Sequence, residues 1–406
     1  YTLTGGTHSF AIKPKAVKIA GPRQYDGTTN IPASDISGIT GTVNTETLTM
    51  SSGLGSTSSA NVGTYNLTDT SAGTLALGNG SNGGLASNYT LTGGTQDYTI
   101  TQRVLNSSGS KTYDANTNAL AGAITLSNLV SGEALNHSGT ATISSANAGS
   151  YTISNLSGIS IADGSGGAAS NYTLTGGTHN FTVNRRPVGV SGTRLYDATT
   201  NAVASDLSTH ANLVGSETLT LSGTGTIASK DVGSNKTVSV GTLALGNGSN
   251  GGLAGNYTLT GGTHQLTVNQ RPLNATLARQ YDGTTAAAGS TLSSFDALQG
   301  GETLTMTGSG TAASANVANG IAMSSNGNLA LADGTGAASN YSLNSTVINI
   351  AKRVLTSSGS KIYDANTNAL AGAITLSNLV SGEALNHSGT ATIGSANAGS
   401  YTISNL

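Results

Sequence analysis

Five pairs of carboxylates are the groups in this chain whose type and spacing could do chemistry. They are Asp26 and Glu46, Asp114 and Glu133, Asp197 and Glu217, Asp282 and Glu302, and Asp364 and Glu383. Two carboxylates facing one cleft can hydrolyse a glycosidic bond, one as general acid and the other as base or nucleophile. That chemistry needs one carboxyl held protonated by burial or by a like charge. Here a base stands three residues before every Asp: Arg23, Lys111, Arg194, Arg279 and Lys361. A neighbouring cation keeps a carboxylate ionised and removes the general acid. The reading for both acidic tracks is therefore structural ion pairs that pin strand ends.

Other motifs invite the same weighing. Gly78-Asn-Gly-Ser-Asn-Gly83 and Gly246-Asn-Gly-Ser-Asn-Gly251 have the GxGxxG spacing of a dinucleotide loop. Such a loop works only between a strand and a helix whose N-terminus faces the pyrophosphate. A strand pattern, Asn88-Tyr-Thr-Leu-Thr or Asn256-Tyr-Thr-Leu-Thr, follows here, so a glycine-rich hairpin loop is expected. Asp114-Ala-Asn-Thr-Asn118 opens like a calcium loop, but its sixth position is Ala119 and its twelfth is Thr125, where Gly and Glu are required. An Asx turn is the expected role, with calcium the alternative. None of the six histidines stands at ligand spacing from another, and with no cysteine there is no thiol nucleophile. Asn88, Asn171, Asn256 and Asn340 are formal glycosylation sequons, each followed by Tyr, and read more simply as strand starts with the Tyr turned inward. The residues thus nominate no catalytic, cofactor-binding or metal-ligating residue, and no enzyme.

The elements that position these groups repeat. Tyr-Asp occurs at Tyr25, Tyr113, Tyr196, Tyr281 and Tyr363. Ten residues before each Tyr stands a base (Lys15, Arg103, Arg186, Arg271, Arg353), and twenty or twenty-one after it stands the Glu. These tracks use ten of the sixteen bases and ten of the eighteen acids, so each repeat is expected to balance its own charge. Period-two alternation, as in Glu217-Thr-Leu-Thr-Leu-Ser222 and Phe181-Thr-Val-Asn184, marks half-buried strands, and Gly, Asn and Ser clusters separate them as turns. No helical periodicity lasts beyond a turn or two. The expected architecture is all-β: a tandem array of ~85-residue β-sandwich, Ig-like modules forming an elongated rod, with a β-solenoid as the alternative. The expected boundaries are residues 1–13 (the end of a preceding module), 14–101, 102–184, 185–269, 270–351 and 352–406 (a truncated module). Joints such as Asn184-Arg-Arg-Pro187 contain no flexible linker, and proline stiffens three of them.

Composition narrows the partners. The chain is 8% charged with a net charge of -2, so nothing steers it to nucleic acid or an anionic membrane. No apolar stretch approaches the roughly 18 residues of a membrane-spanning helix. Without cysteine, stability must come from packing and ladder hydrogen bonds. Residues 103–156 and 353–406 are identical at 51 of 54 positions, a mark of duplication within the gene. The sequence starts and stops inside a repeat and is expected to be an excerpt of a longer protein.

The order basic-x-Tyr-Asp (Lys111-Thr-Tyr-Asp-Ala115), Gly-x-Glu (Gly132-Glu-Ala-Leu135), Ala-Asn-x-Gly (Ala146-Asn-Ala-Gly149) and Asn-Tyr-Thr-Leu (Asn171 to Leu174) resembles the YDG and MBG ("mostly beta, glycine-rich") repeats. Two repeats depart from it, with Lys230-Asp-Val-Gly233 and Asn316-Val-Ala-Asn319 in place of the usual turn. These repeats occur in large bacterial surface proteins of the filamentous-haemagglutinin-like, two-partner-secretion group. The resemblance implies export through an outer-membrane transporter partner, a location outside the cell or on its surface, and a role in adhesion, aggregation or biofilm matrix. The expected function is the stalk of such an adhesin. Two alternatives stand beside it: weak multivalent binding of polysaccharide by the repeats, which would need Tyr89, Tyr172, Tyr257 and Tyr341 exposed on one face, and self-assembly into an extracellular filament.

Overall fold

The computed structural model describes residues 1–67, 71–94 and 96–405; Leu406, the last residue of the truncated repeat, lies outside the described residues. The chain is all-β, with tandem repeats built from curled sheets, and its only helical elements among the described residues are three-residue 3-10 turns.

Residues 102–184 show how one repeat is made. Its strands are β1 (Arg103–Val104), β2 (Asn106–Thr112), β3 (Asn118–Leu120), β4 (Ile124–Ser127), β5 (Leu135–Ile143), β6 (Gly149–Asn155), β7 (Ile159–Asp163), β8 (Tyr172–Thr173) and β9 (His179–Asn184). The main sheet has the order β3-β5-β6-β9-β2-β4, and β1 pairs with β8 in a separate two-stranded sheet. The last strand, β9, lies in the middle of the main sheet. It runs parallel to β2, with Gly109 opposite Phe181, and antiparallel to β6, with Tyr151 opposite Phe181.

The period of two explains why β9 takes that place. His179, Phe181 and Val183 are buried, while the residues between them face outward or lie part-buried. Burying a Phe or Val side chain contributes about 1.5–3 kcal/mol. Gly109 makes room for the ring, since a Cβ there would lie 2.8 Å from Phe181. The core continues through Ala119, Ile124, Ala141 and Ile143.

Strand β5 serves two sheets. Leu135–Gly139 pairs with β7, and Thr140–Thr142 pairs with β3. The change of direction falls at Gly139, whose φ of 101° favours glycine and whose Cβ would meet the Gly158 carbonyl oxygen at 1.9 Å. In the other repeats a glycine at the same place (Gly53, Gly223, Gly308) breaks the strand outright.

The chain forms two compact units. One comprises Tyr1–Pro187, Asn212–Thr218 and Asn247–Thr260. The other comprises Val188–Ala211, Leu219–Gly246 and Gly261–Leu406. The division passes through the repeat 185–269. Its main sheet, with strands Gly189–Leu195 and His264–Asn269 side by side, is in the second unit. Its small parallel pair, Arg186–Pro187 with Tyr257–Thr258, is in the first. In the first unit one apolar cluster joins Tyr25, Ile31, Tyr98 and Ile100 of one repeat to Leu105 and Tyr172 of the next. Each repeat thus consists of a main sheet and a cap, the cap being the β1–β8 pair with its flanking loops, and the cap packs on the sheet of the repeat before it.

Candidate functional site: the joint between repeats

The recurring polar residues converge where a cap meets the preceding sheet. In the first unit Glu133 accepts two tyrosine hydroxyl bonds: from Tyr25 of the preceding repeat at 2.5 Å on Oε1, and from Tyr172 of its own repeat at 2.7 Å on Oε2. The two rings meet edge-on, with centroids 5.4 Å apart and planes at 78°. The same cluster forms from Glu217 with Tyr113 (2.8 Å) and Tyr257 (2.5 Å). In the second unit it forms from Glu302 with Tyr196 (2.7 Å) and Tyr341 (2.8 Å). Each cap tyrosine also accepts a backbone N–H, from Val130, Val214 or Gln299. The cap tyrosine of the first repeat, Tyr89, bonds Glu46 and accepts the Val43 N–H in the same way.

Two further contacts complete each joint. The base ten residues before Tyr-Asp reaches back to the preceding repeat. Arg103 donates to the carbonyl oxygen of Tyr25, Arg186 to that of Tyr113, Arg271 to that of Tyr196 and Arg353 to that of Tyr281. Arg103, Arg186 and Arg353 also grip the carbonyl and side-chain oxygens of Asn128, Asn212 and Asn378. The Asn before each cap tyrosine is a second clamp. Asn171 accepts the Val62 N–H at 2.9 Å and donates to Asn61 Oδ1 at 2.9 Å. Asn256 does the same with Ala148 and Asn147, and Asn340 with Val232 and Asp231.

These contacts revise several expectations. The Asp track behaves as predicted. Asp26, Asp114, Asp197, Asp282 and Asp364 each accept the N–H two residues on and pair with the base three residues back. Burial would push Asp26 and Asp114 up, but the turn N–H and the neighbouring Arg23 or Lys111 outweigh it and hold both below the usual carboxylate value. The Glu track is different. Among the described residues only Glu302 has an ion pair, with Lys230, and the other glutamates are held by tyrosine hydroxyls. The expected ion pairing therefore fails for Glu, which is held by tyrosines of its own and the preceding repeat, and the one cation that reaches a Glu, Lys230, stands in the repeat before.

The departure Lys230-Asp-Val-Gly233 keeps the joint intact. Asp231 accepts the Asn340 amide where an Asn does so elsewhere, and Lys230 reaches Glu302 and lies 5.7 Å from the Tyr196 ring centroid. The glycine-rich loops are not hairpins. The strand Ala76–Asn79 pairs with Leu48–Ser52, whereas Tyr89–Thr90 pairs with Lys15–Ala16, so the loop crosses between sheets. Two of its N–H groups are used internally, Gly80 to Gly84 and Gly84 to Ser81, the Ser81 N–H donates to Thr47 Oγ1, and Asn79 Oδ1 accepts the Ala86 N–H. His137 and His179 bond backbone carbonyls, and no cluster of His, Cys, Asp or Glu suited to a metal occurs among the described residues. Asn171, Asn256 and Asn340 are buried in their clamps, while Asn88 is exposed.

The aromatic residues that a sugar platform would need are inside. Tyr89, Tyr172, Tyr257 and Tyr341 are 6%, 1%, 1% and 2% exposed. Burial first, and then the Glu carboxylate, push the hydroxyls of Tyr25, Tyr113 and Tyr257 up to about 12. Tyr341 is also raised to about 12, again chiefly by burial. A neutral phenol that donates to a carboxylate and accepts an amide is a structural tie, with no free valence for a substrate.

Sequence reasoning missed the Glu–Tyr and Asn clamps. The signal was present: Asn-Tyr, Ala-Asn-x-Gly and Gly-x-Glu recur at fixed offsets. No curated protein matches the chain. The YDG domain family matches residues 11–101, 97–179, 182–267 and 263–348, in the same order as the repeats that supply the Tyr-Asp, Glu and Asn-Tyr of each joint. The chain belongs to the YDG domain family.

Proposed function

We propose that this chain is a spacer, the stalk of a secreted bacterial surface adhesin, whose role is to hold other parts of the protein at a distance. The observation that carries this reading is the joint: the same Tyr–Glu–Tyr, Arg and Asn contacts recur between successive repeats. Polar side chains that recur in every repeat are committed to holding neighbours together, and buried tyrosines leave no aromatic platform for polysaccharide. In this reading the chain has no catalytic residue and no cofactor. It passes an outer-membrane transporter unfolded and folds repeat by repeat outside, for which the absence of cysteine is suited.

Small-angle scattering on the chain tests the proposal. Four to five repeats of roughly 35–40 Å each, placed end to end, give a length of roughly 150–200 Å. A rod of that length has a radius of gyration of roughly 45–55 Å, against about 22 Å for a compact globule of this chain length. Deleting residues 185–269, one whole period, shortens the maximum dimension by roughly 35–40 Å. A compact particle, or a length that does not change with the deletion, rejects the spacer.

A further inference from the structure

The repeat 185–269 differs from its fellows at one place in its main sheet. That sheet runs in the order Asn201–Val203, Thr224–Ile227, Gly233–Ser239, His264–Asn269, Gly189–Leu195 and Thr209–Ala211, so Thr209–Ala211 is an edge strand of three residues. Its middle residue, His210, stands opposite Val190, and Val190 stands opposite His264 on its other side. The residues equivalent to His210 are Ile39 opposite Ile19, Leu126 opposite Ser107, Phe295 opposite Ala275 and Leu376 opposite Ser357. Four repeats place an apolar side chain on this edge, and the third places an imidazole.

His210 is half-buried, and its Nε2 is shut off from solvent without a hydrogen-bond partner among the described residues. By contrast, both ring nitrogens of His179 in the second repeat are used, Nδ1 with Ser107 Oγ at 2.9 Å and Nε2 with the Leu174 carbonyl at 2.8 Å. A buried nitrogen without a partner is costly, and more so once its ring carries a charge. The surroundings offer nothing to a cation. Gly189–Leu195 brings the buried Val190 against His210, and its one charged side chain, Arg194, pairs with Asp197. The 3-10 turn Ala204–Asp206 ends in Asp206, whose charge acts on Arg194 and Asp197. His264, two strands across, is an imidazole too, and on protonation it adds positive charge to the row. Burial pushes the His210 imidazole below its ordinary value of 6.5, and no charged group offsets it. The closed strand therefore takes up its proton at a lower pH than the open strand does. Its stability is complete above about pH 6.5 and is lost as pH falls through the folded value.

We propose that His210 is an acid-sensitive latch: when it is protonated, the strand Thr209–Ala211 leaves the main sheet of the repeat 185–269 and uncovers the flank of Gly189–Leu195. Three pairings hold the strand, Gly189 with Ala211, Val190 with His210 and Ser191 with Thr209. An edge this short opens locally, without unfolding the repeat. Opening hands the imidazolium to water. It also leaves the N–H and C=O groups on that side of Gly189–Leu195 unpaired, and such a row is a template for another strand. The equivalent edges, with Ile39, Leu126, Phe295 and Leu376, carry no group that titrates in this range. The inference rests on this one sheet edge and is independent of the spacer reading.

Hydrogen exchange of the whole chain between about pH 7.5 and about pH 5.5, corrected for the intrinsic rate at each pH, tests the latch. The opening equilibrium of Thr209–Ala211 is expected to rise by up to about tenfold per pH unit between about pH 6.5 and the folded value. The equivalent strand of the second repeat, Ile124–Ser127 with Leu126, is the control within the same molecule and is expected to keep its protection. His210→Leu sets the second repeat's residue at this edge and is expected to remove the pH dependence while protection at about pH 7.5 is kept. Proton NMR of the parent chain follows the His210 ring directly, and its folded pKa is expected below 6.5. That titration and the comparison of the two strands need no variant, so they decide the matter even where the substitution disturbs folding. A His210 pKa at or above 6.5, equal pH dependence at the two strands, or acid opening that survives His210→Leu overturns the inference.

Discussion

Tyr113, Glu217 and Asn256 carry one joint, and each can be removed alone. Tyr113→Phe deletes one hydroxyl and leaves half of the Glu217 carboxylate without its donor, at a cost of about 1–2 kcal/mol. Asn256→Ala strands the half-buried Ala148 N–H and also removes the bond to Asn147, at a cost of about 1–3 kcal/mol. Asn88 occupies the same sequence position but is exposed, so Asn88→Ala stays within roughly 0.5 kcal/mol. Urea unfolding of the three variants beside the parent checks the order; equal losses at Asn88 and Asn256 would refute the clamp. Alkaline pH probes the tyrosines together. Their folded pKa values are raised above the unfolded value of 10, to about 12 for Tyr25, Tyr113 and Tyr257, so the folded state holds protons that the unfolded state has lost. Stability is fully present below pH 10 and is lost as pH rises from about 10 to about 12. Denaturation midpoints recorded across that window are expected to fall, and a flat profile counts against neutral buried phenols at the joint.

Strands and turns were the part of the fold that the residues displayed openly. Alternation at Phe181-Thr-Val-Asn184 placed β9, and Asp-Gly or Asp-Ala after Tyr placed the Asx turns. The pairing of Glu with tyrosine was hidden for a physical reason. Tyr25 and Glu133 are 108 residues apart, Tyr113 and Glu217 are 104, and Tyr196 and Glu302 are 106. Each distance is one period plus about twenty, so in a periodic sequence the right partner and the wrong one look alike. The central position of β9 was hidden as well, because order within a sheet is a long-range property that local alternation does not encode. The strand that turns between sheets gives the test at this scale. Gly139→Ala forces a φ of 101° on a residue with a Cβ and drives that atom into the Gly158 carbonyl. The backbone conformation alone costs about 1–3 kcal/mol. Gly122→Ala, with ordinary φ and open space around it, is expected to be neutral or stabilising by up to about 1 kcal/mol. Thermal melts of the two variants should therefore move in opposite directions or differ widely.

In the first unit the repeat 14–101 shares its core with the cap of its successor, so its stability is expected to depend on that neighbour. Tyr25, Ile31, Tyr98 and Ile100 share their apolar cluster with Leu105 and Tyr172, so part of the core of one repeat is supplied by the next. Stability in such arrays is a sum of intrinsic and nearest-neighbour terms. Residues 102–184 expressed alone are expected to melt below the same repeat within 102–269, as followed by circular dichroism; equal melting temperatures would mean that the joint contributes nothing. A double-mutant cycle on Tyr113→Phe and Glu217→Gln is expected to give a coupling of roughly 0.5–3 kcal/mol, the range for residues in direct contact.

Each of the repeats 102–184, 185–269 and 270–351 carries both halves of the joint, a Tyr-Asp edge for the one after it and a Glu, Arg and Asn-Tyr face for the one before. A gene built this way can gain or lose material by unequal recombination at any point, provided the exchange is in register. The new neighbours meet through the surfaces that the old ones used, and no compensating change is required. Residues 103–156 and 353–406, three periods apart and differing only at Asn106/Thr356, Thr112/Ile362 and Ser144/Gly394, are what such an exchange leaves behind. Length is thereby heritable in discrete steps, and selection can adjust it without redesigning a single interface.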